Sequence, residues 1–262
     1  MRSSLCVLVF GLIAAVFSGS ILAQTAKQNG TAVITKSSPD LSGVWAVGRR
    51  SFKGDVAHVT PENDEADEFT YLHSPYPMQP WAEDKFNYNR DPKSPYLSGR
   101  TDLNPSYANC APHGPTVQWL FSAPFEIIQS PKRVLIIFEQ NHEMRQIWTD
   151  GREQVPADWG HTWMGHSVGH WEGDTLVIDT IGLNDLTWLD HAGHVHSDAL
   201  HLVERLQRVD HDSLMLNITF DDPKTFTKPF SSRRKFQLKP NMELEEDTLC
   251  EDRIIGHPIP LR

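Results

Sequence analysis

The sequence predicts an all-β fold: a single, closed or nearly closed antiparallel barrel built of successive hairpins. Two observations carry that expectation. From about residue 124 onward, short runs rich in β-branched and aromatic residues alternate with turn-forming pairs, and almost no stretch shows helical periodicity. About 240 residues follow the first apolar segment, which is long for an average domain but suits one all-β domain with a proper core.

The chain opens with the three parts of a secretory signal: Arg2, the apolar run from Leu5 to Val16, and a small-residue cleavage site ending at Ala23. Residues 1–23 are therefore expected to be a signal peptide and 24–38 a polar, disordered leader, with one domain over 39–262. The apolar run is too short to span a bilayer comfortably, so no stable membrane insertion is expected after cleavage, and the expected location is the periplasm or the exterior of a bacterial cell.

Asp40-Leu-Ser-Gly-Val-Trp45 reads as the first strand. The stretch from there to about residue 118 is rich in Pro, Tyr, Asp and Asn and reads as a long ordered loop, a candidate lid. It holds one short helix over Pro80 to Phe86, with Pro80 at its start. Hairpins then follow. Phe125 to Gln129 and Val134 to Glu139 flank Ser130-Pro-Lys-Arg133, and Met144 to Thr149 continues the meander to Asp150-Gly151. His166 to Trp171 and Thr175 to Ile181 flank Glu172-Gly173-Asp174. Leu200 to Val209 and Leu214 to Phe220 flank His211-Asp212-Ser213. Arg233 to Leu238 and Met242 to Asp247 flank Lys239-Pro240-Asn241.

The formal net charge of −10 and the lack of a basic run exclude nucleic acid and anionic lipid surfaces as expected partners. Of the three cysteines, Cys6 would leave with the signal. Cys110 and Cys250 remain, an even number in an exported chain, and are expected to pair.

The opening Leu-Ser-Gly-Val-Trp45 is similar to the Gly-x-Trp start of lipocalin-like (calycin) barrels. A longer set of motifs resembles a family of secreted proteins found in acidobacteria and proteobacteria: Trp163-Met-Gly-His-Ser-Val-Gly-His-Trp-Glu-Gly-Asp-Thr-Leu-Val-Ile-Asp-Thr180, then Asn184-Asp185, Trp188-Leu-Asp190 and His196-Ser-Asp-Ala-Leu200. That resemblance covers most of the mature chain. It implies that Cys110 and Cys250 belong to the family pattern, and it implies no particular reaction.

Seven of the thirteen histidines fall between His161 and His201. Clustered histidine in an exported chain suggests proton transfer or metal binding. The run His191-Ala-Gly-His-Val-His196-Ser-Asp198 superficially resembles the metal motif of metallo-β-lactamases, but Ala199 stands where that motif needs histidine. No cofactor is expected; if zinc or another divalent metal binds, His161, His166, His194 and His196 are the candidate ligands. Otherwise His191, His194 and His201 read as exposed surface residues.

Alternation gives a sharper signal. In Leu200 to Leu206, Glu204 shares a face with Leu200, Leu202 and Leu206, which puts a carboxylate on the apolar side. Such a group needs a buried partner, Arg145 or Arg208, or has a shifted pKa available for acid–base work. Asp179 shows the same tension between Val177 and Ile181; facing inward, it and Glu204 would share a site with His166. The loop from Gly182 to Ser197 gathers Asn184, Trp188, Asp190, His194 and His196.

The expected function is therefore an exported β-barrel enzyme acting on a small apolar or aromatic molecule by general acid–base chemistry, as an isomerase, lyase or hydrolase. His166, His196, Glu204 and Asp179 are the expected catalytic set. Trp163, Trp171, Asn184, Trp188, Asp190 and Arg205 are the expected substrate-binding set. The alternatives are a carrier of a hydrophobic ligand and a His-ligated metalloenzyme.

Overall fold

The computed structural model describes residues 38–47, 76–91, 93, 111–121, 123–156 and 158–246. The expected signal peptide, the expected leader up to residue 37, much of the Pro-rich stretch, and both Cys110 and Cys250 lie outside the described residues.

Nine strands close into one barrel in sequence order. They are β1 (Gly43–Val47), β2 (Phe125–Ser130), β3 (Arg133–Phe138), β4 (Met144–Trp148), β5 (His166–Glu172), β6 (Thr175–Ile181), β7 (His201–Arg208), β8 (Ser213–Asp221) and β9 (Phe230–Leu238). β9 pairs with β1, with Trp45 opposite Leu238, so the ring has no free edge. The all-β barrel expected from alternation is what forms.

Three details differ from the sequence expectation. The β4/β5 pair is parallel, with Ile147 opposite Ser167 and Trp148 opposite Val168, because the chain between them crosses back along the barrel instead of turning. The hairpin expected at Lys239-Pro240-Asn241 does not form: residues 242–246 are not a strand, and β9 finds its second partner in β1. The Pro-rich region is also more than loop. The helix at Pro80 extends to Arg90 as α1 (Pro80–Arg90), and a second, α2 (Gly114–Gln118), carries Pro115 in its first turn. None of the described helices is long and apolar enough to cross a membrane.

The pairings put the barrel's connections into two classes. At one end, strands join through tight turns, such as Gly173-Asp174 between the paired residues Glu172 and Thr175. Gly173 takes φ +62° there, which the two-residue turn demands and glycine adopts freely. The other end collects the start of β2, the end of β3, the starts of β4 and β5, the end of β6, the start of β7, the end of β8 and the start of β9. Every long connection that carries a helix or a histidine cluster returns to this end.

The interior follows the period of two. Leu176, Ile178 and Thr180 of β6 and Leu202, Glu204 and Leu206 of β7 point inward and are buried. α2 and the residue after it cap the interior. Trp119 is 1% exposed and meets Phe125, Phe138 and Phe236 at ring-centroid separations of 5.2, 5.2 and 5.8 Å.

Candidate functional site

Next to α2, five buried residues inside the barrel form one hydrogen-bonded network around Arg145 and Glu204. Trp119 donates its indole N–H to Glu204 Oε1 at 2.6 Å. Arg145 on β4 donates Nη1–H to the same oxygen at 2.6 Å and Nη2–H to Glu204 Oε2. The same guanidinium reaches Thr180 Oγ1 at 2.7 Å and Ser167 Oγ at 3.2 and 3.3 Å. Glu204 is 0% and Arg145 1% exposed. Both carboxylate oxygens are thus engaged by donors inside the core, two on Oε1 and Arg145 on Oε2. Glu204 is the ion-paired member of the two readings its alternation allowed, with Arg145 as the partner.

Asp179 faces outward on β6, so Asp179 and Glu204 do not share a site. Its Oδ2 accepts a hydrogen bond from His201 Nε2 at 2.7 Å, and Gln154 Nε2 donates to its Oδ1 at 3.1 Å. His201 holds the Asp179 carboxyl below its ordinary range, and Asp179 in turn raises the His201 imidazole. His166 is on the same outer face; its ring donates to the Gly160 carbonyl at 3.2 Å and packs on Gly182, where an added Cβ would come within 2.8 Å of it. Arg205 is also outside, paired with Glu172 at 2.7 Å with both side chains exposed.

The 182–200 loop is held by its own polar residues. Asp190 Oδ1 accepts the backbone N–H groups of Ala192, Gly193 and His194, and its Oδ2 accepts His194 Nδ1–H at 2.6 Å. Phe86 of α1 stacks on His194 with centroids 3.9 Å apart, and Tyr76 meets it edge-on. His196 donates Nδ1–H to the Ser197 carbonyl at 3.0 Å and accepts from Thr187 Oγ1 at Nε2, 2.8 Å away. With both nitrogens used inside the loop, and burial pushing its pKa down, His196 is a neutral fixture and not a proton shuttle. Asn184 closes an Asx turn on the Leu186 N–H.

The tryptophans do not line one pocket. Trp171 sits on β5 near the tight-turn end and packs against the core, Trp163 is half-buried beside α2, and Trp188 is buried within the loop. The four candidate metal ligands are likewise scattered. His161 is exposed, and His166, His194 and His196 each have the separate partners given above. Among the described residues no group of three or more His, Cys, Asp or Glu side chains is placed to hold a metal.

A different set of groups converges where α2 meets the β3–β4 connection, and the sequence reading missed it. His113, the residue preceding α2, is 0% exposed. Its backbone N–H donates to Glu143 Oε1 at 2.7 Å, and its Nδ1 lies 3.0 Å from the same oxygen. Asn141 Nδ2 lies 2.9 Å from that same ring nitrogen. At the other end of α2, Gln118 Nε2 donates to the Gln140 carbonyl at 3.2 Å. The turn so clamped contains Asn141 at φ 58° and His142 at φ 51°, two successive left-handed residues that are not glycine. Conformations of this kind persist only where the surroundings impose them, and they gather at functional sites.

His191, from the 182–200 loop, comes to the same place. Phe121 meets the His113 ring edge-on at 5.1 Å and the His191 ring at 4.8 Å. Burial lowers the His191 pKa to about 4 despite the nearby Asp190 carboxylate, so the imidazole is neutral at pH 7. Glu143 Oε2 and Gln118 Oε1 are buried and have no hydrogen-bond partner among the described residues.

Chemically, this corner holds an imidazole–carboxylate pair, a second imidazole kept neutral with the Phe121 ring between the two imidazoles, and two acceptors without a hydrogen-bond partner. His113-Gly114-Pro115 was the available sequence signal, since proline at a first helical position marks a helix start. Nothing in the sequence ties it to Glu143, thirty residues away. No family model matches the chain, and no curated protein matches it.

Proposed function

We propose that this chain is an exported enzyme that acts on a small apolar or aromatic molecule by general acid–base chemistry at the loop-bearing end of its barrel. The proton-handling groups are His113, Glu143 and His191, in place of His166, His196 and Glu204. The observation that carries this reading is the position of His113 Nδ1, within hydrogen-bond reach of both Glu143 Oε1 and Asn141 Nδ2. One ring nitrogen cannot donate to the carboxylate and accept from the amide at once. The geometry therefore accommodates two tautomeric arrangements: Nδ1–H toward Glu143 with the Asn141 amide turned, or Asn141 N–H toward an accepting Nδ1. A buried imidazole hydrogen-bonded to a carboxylate is a unit that acid–base exchange with a substrate can use. His191, neutral through burial, is the base in this scheme, and Phe121 holds the apolar body of the substrate.

Carriage of a ligand inside the barrel has less support, because Trp119 and the phenylalanines around it occupy the space under α2. Isomerases and lyases exchange a substrate proton with solvent, and hydrolases release two products. A panel of small aromatic ketones, lactones and esters incubated with the mature protein in D2O and followed by NMR tests all three. Deuterium incorporation or product formation is expected, lost by at least a hundredfold in Glu143→Gln and His191→Gln and retained in His166→Gln. Turnover that survives both of the first two substitutions would overturn the assignment.

A further inference from the structure

The two spare oxygens at this corner differ from ordinary loose ends. Glu143 Oε2 and Gln118 Oε1 both belong to side chains more than nine-tenths buried, and both are acceptors. The Gln118 assignment is fixed by its neighbour: its amide nitrogen faces the Gln140 carbonyl, so turning the amide over would set oxygen against oxygen. An unpaired buried acceptor is costly, and native chains keep few of them without a reason. Both oxygens flank the Gln140–His142 turn, whose two left-handed residues already mark the place as strained.

The geometry points to a ligand with neutral N–H donors on an aromatic body, a primary aromatic carboxamide being the simplest, bound with its donors on Glu143 Oε2 and Gln118 Oε1 and its ring against Phe121. This inference names the substrate class for the site proposed above and rests on that reading. Three features select the class. Two acceptors repel an anionic head group. Burial, the largest influence on the neighbouring His191 imidazole, disfavours a cationic one as it disfavours the imidazolium. One NH2 group carries two hydrogens, one for each of the two unpaired acceptors. Discrimination by polar groups of this kind is large, because an analogue without the donors leaves both acceptors unpaired.

Ligand-detected NMR titration of the full mature protein with benzamide, methyl benzoate and benzoate tests this without any substitution. Benzamide is expected to bind at least tenfold more tightly than either of the other two. Gln118→Met, which keeps the side-chain volume and removes the acceptor, and Glu143→Gln should each weaken benzamide by at least tenfold and leave methyl benzoate unchanged. Equal binding of benzamide and methyl benzoate, or no binding of any probe, would mean that buried water alone satisfies these oxygens and would overturn the inference. The two readings fail separately. Donor-selective binding with turnover intact in His191→Gln removes the acid–base reading and keeps the recognition. Turnover lost in His191→Gln without donor selectivity removes the recognition alone.

Discussion

Two buried polar clusters lie on either side of α2, and they are built to opposite rules. Inside the barrel, Arg145, Glu204, Trp119, Ser167 and Thr180 use one another completely: each nitrogen of the guanidinium and each oxygen of the carboxylate has a partner. On the other side, His113, Glu143, Asn141 and Gln118 are also buried, yet acceptors are left over and the backbone between them is held left-handed. A polar group buried for architecture closes its network, since every open valence costs stability. A polar group buried for chemistry keeps one open. Burial of an ionisable residue, by itself, does not distinguish the two.

The comparison breaks most sharply at Arg145. Arg145→Met leaves Glu204 charged and without its main partner in the core, and should cost about 3–5 kcal/mol in chemical denaturation. The double variant Arg145→Met, Glu204→Leu should recover most of that, because no unpartnered polar group is then left in the core. Recovery absent from the double variant would mean that the network contributes beyond charge pairing. Trp119→Phe removes one donor to Glu204 while Arg145 stays, and a smaller loss of about 1–3 kcal/mol is expected.

Across α2 the sign should reverse. His142→Gly replaces a left-handed residue by one that adopts that conformation freely, so stability should rise by about 0.5–1 kcal/mol. Benzamide binding should fall, since the turn would no longer hold Glu143 in place. A loss of stability there would put the turn in the same class as the barrel interior.

The smallest expected effect belongs to the outer pair of His201 and Asp179. The raised His201 pKa gives stability that is complete below its unfolded value near 6.5 and fades as pH rises through the higher folded value. The lowered Asp179 pKa gives stability present above its unfolded value of about 3.8 and lost as pH falls through the lower folded value. The pair therefore contributes most between about pH 4 and 6.5. With side chains 38% and 37% exposed, solvent screening limits the contribution to below about 1 kcal/mol. Melting curves of wild type and His201→Asn across pH 3–9 should differ most in that window. A constant difference would remove the titration account.

These differences also explain what was legible in the sequence. Turn pairs and period-two alternation exposed the hairpins, and the same alternation placed Glu204 inside, with Arg145 or Arg208 as the expected partner, of which the fold supplies Arg145. The parallel β4/β5 pair was not legible, because the crossing segment carries no helix signal and periodicity says nothing about strand direction. The histidine-rich loop drew attention by density, yet His194 and His196 spend their hydrogen bonds within it. The imidazole it delivers to the candidate site is His191, which by pattern alone looked like surface. His113 and Glu143 belong to no local motif. Their meeting depends on where α2 docks, which is a tertiary fact.

The parallel pair has a consequence for how the ring holds shut. Only two residues on each side face each other there, against five to eight at the other strand pairs between β2 and β9. Gly169 lets Ile147 press in close, where an added Cβ would come within 2.9 Å of it. The Arg145 side chain reaches across from β4 to Ser167 on β5 and Thr180 on β6, like a bolt through a clasp. The barrel is thus a ribbon fastened at one place by side chains where backbone stitching is short. The amides of Ile147 and Trp148 are where it should first unfasten, and the guanidinium that anchors Glu204 is also the catch that keeps the belt closed.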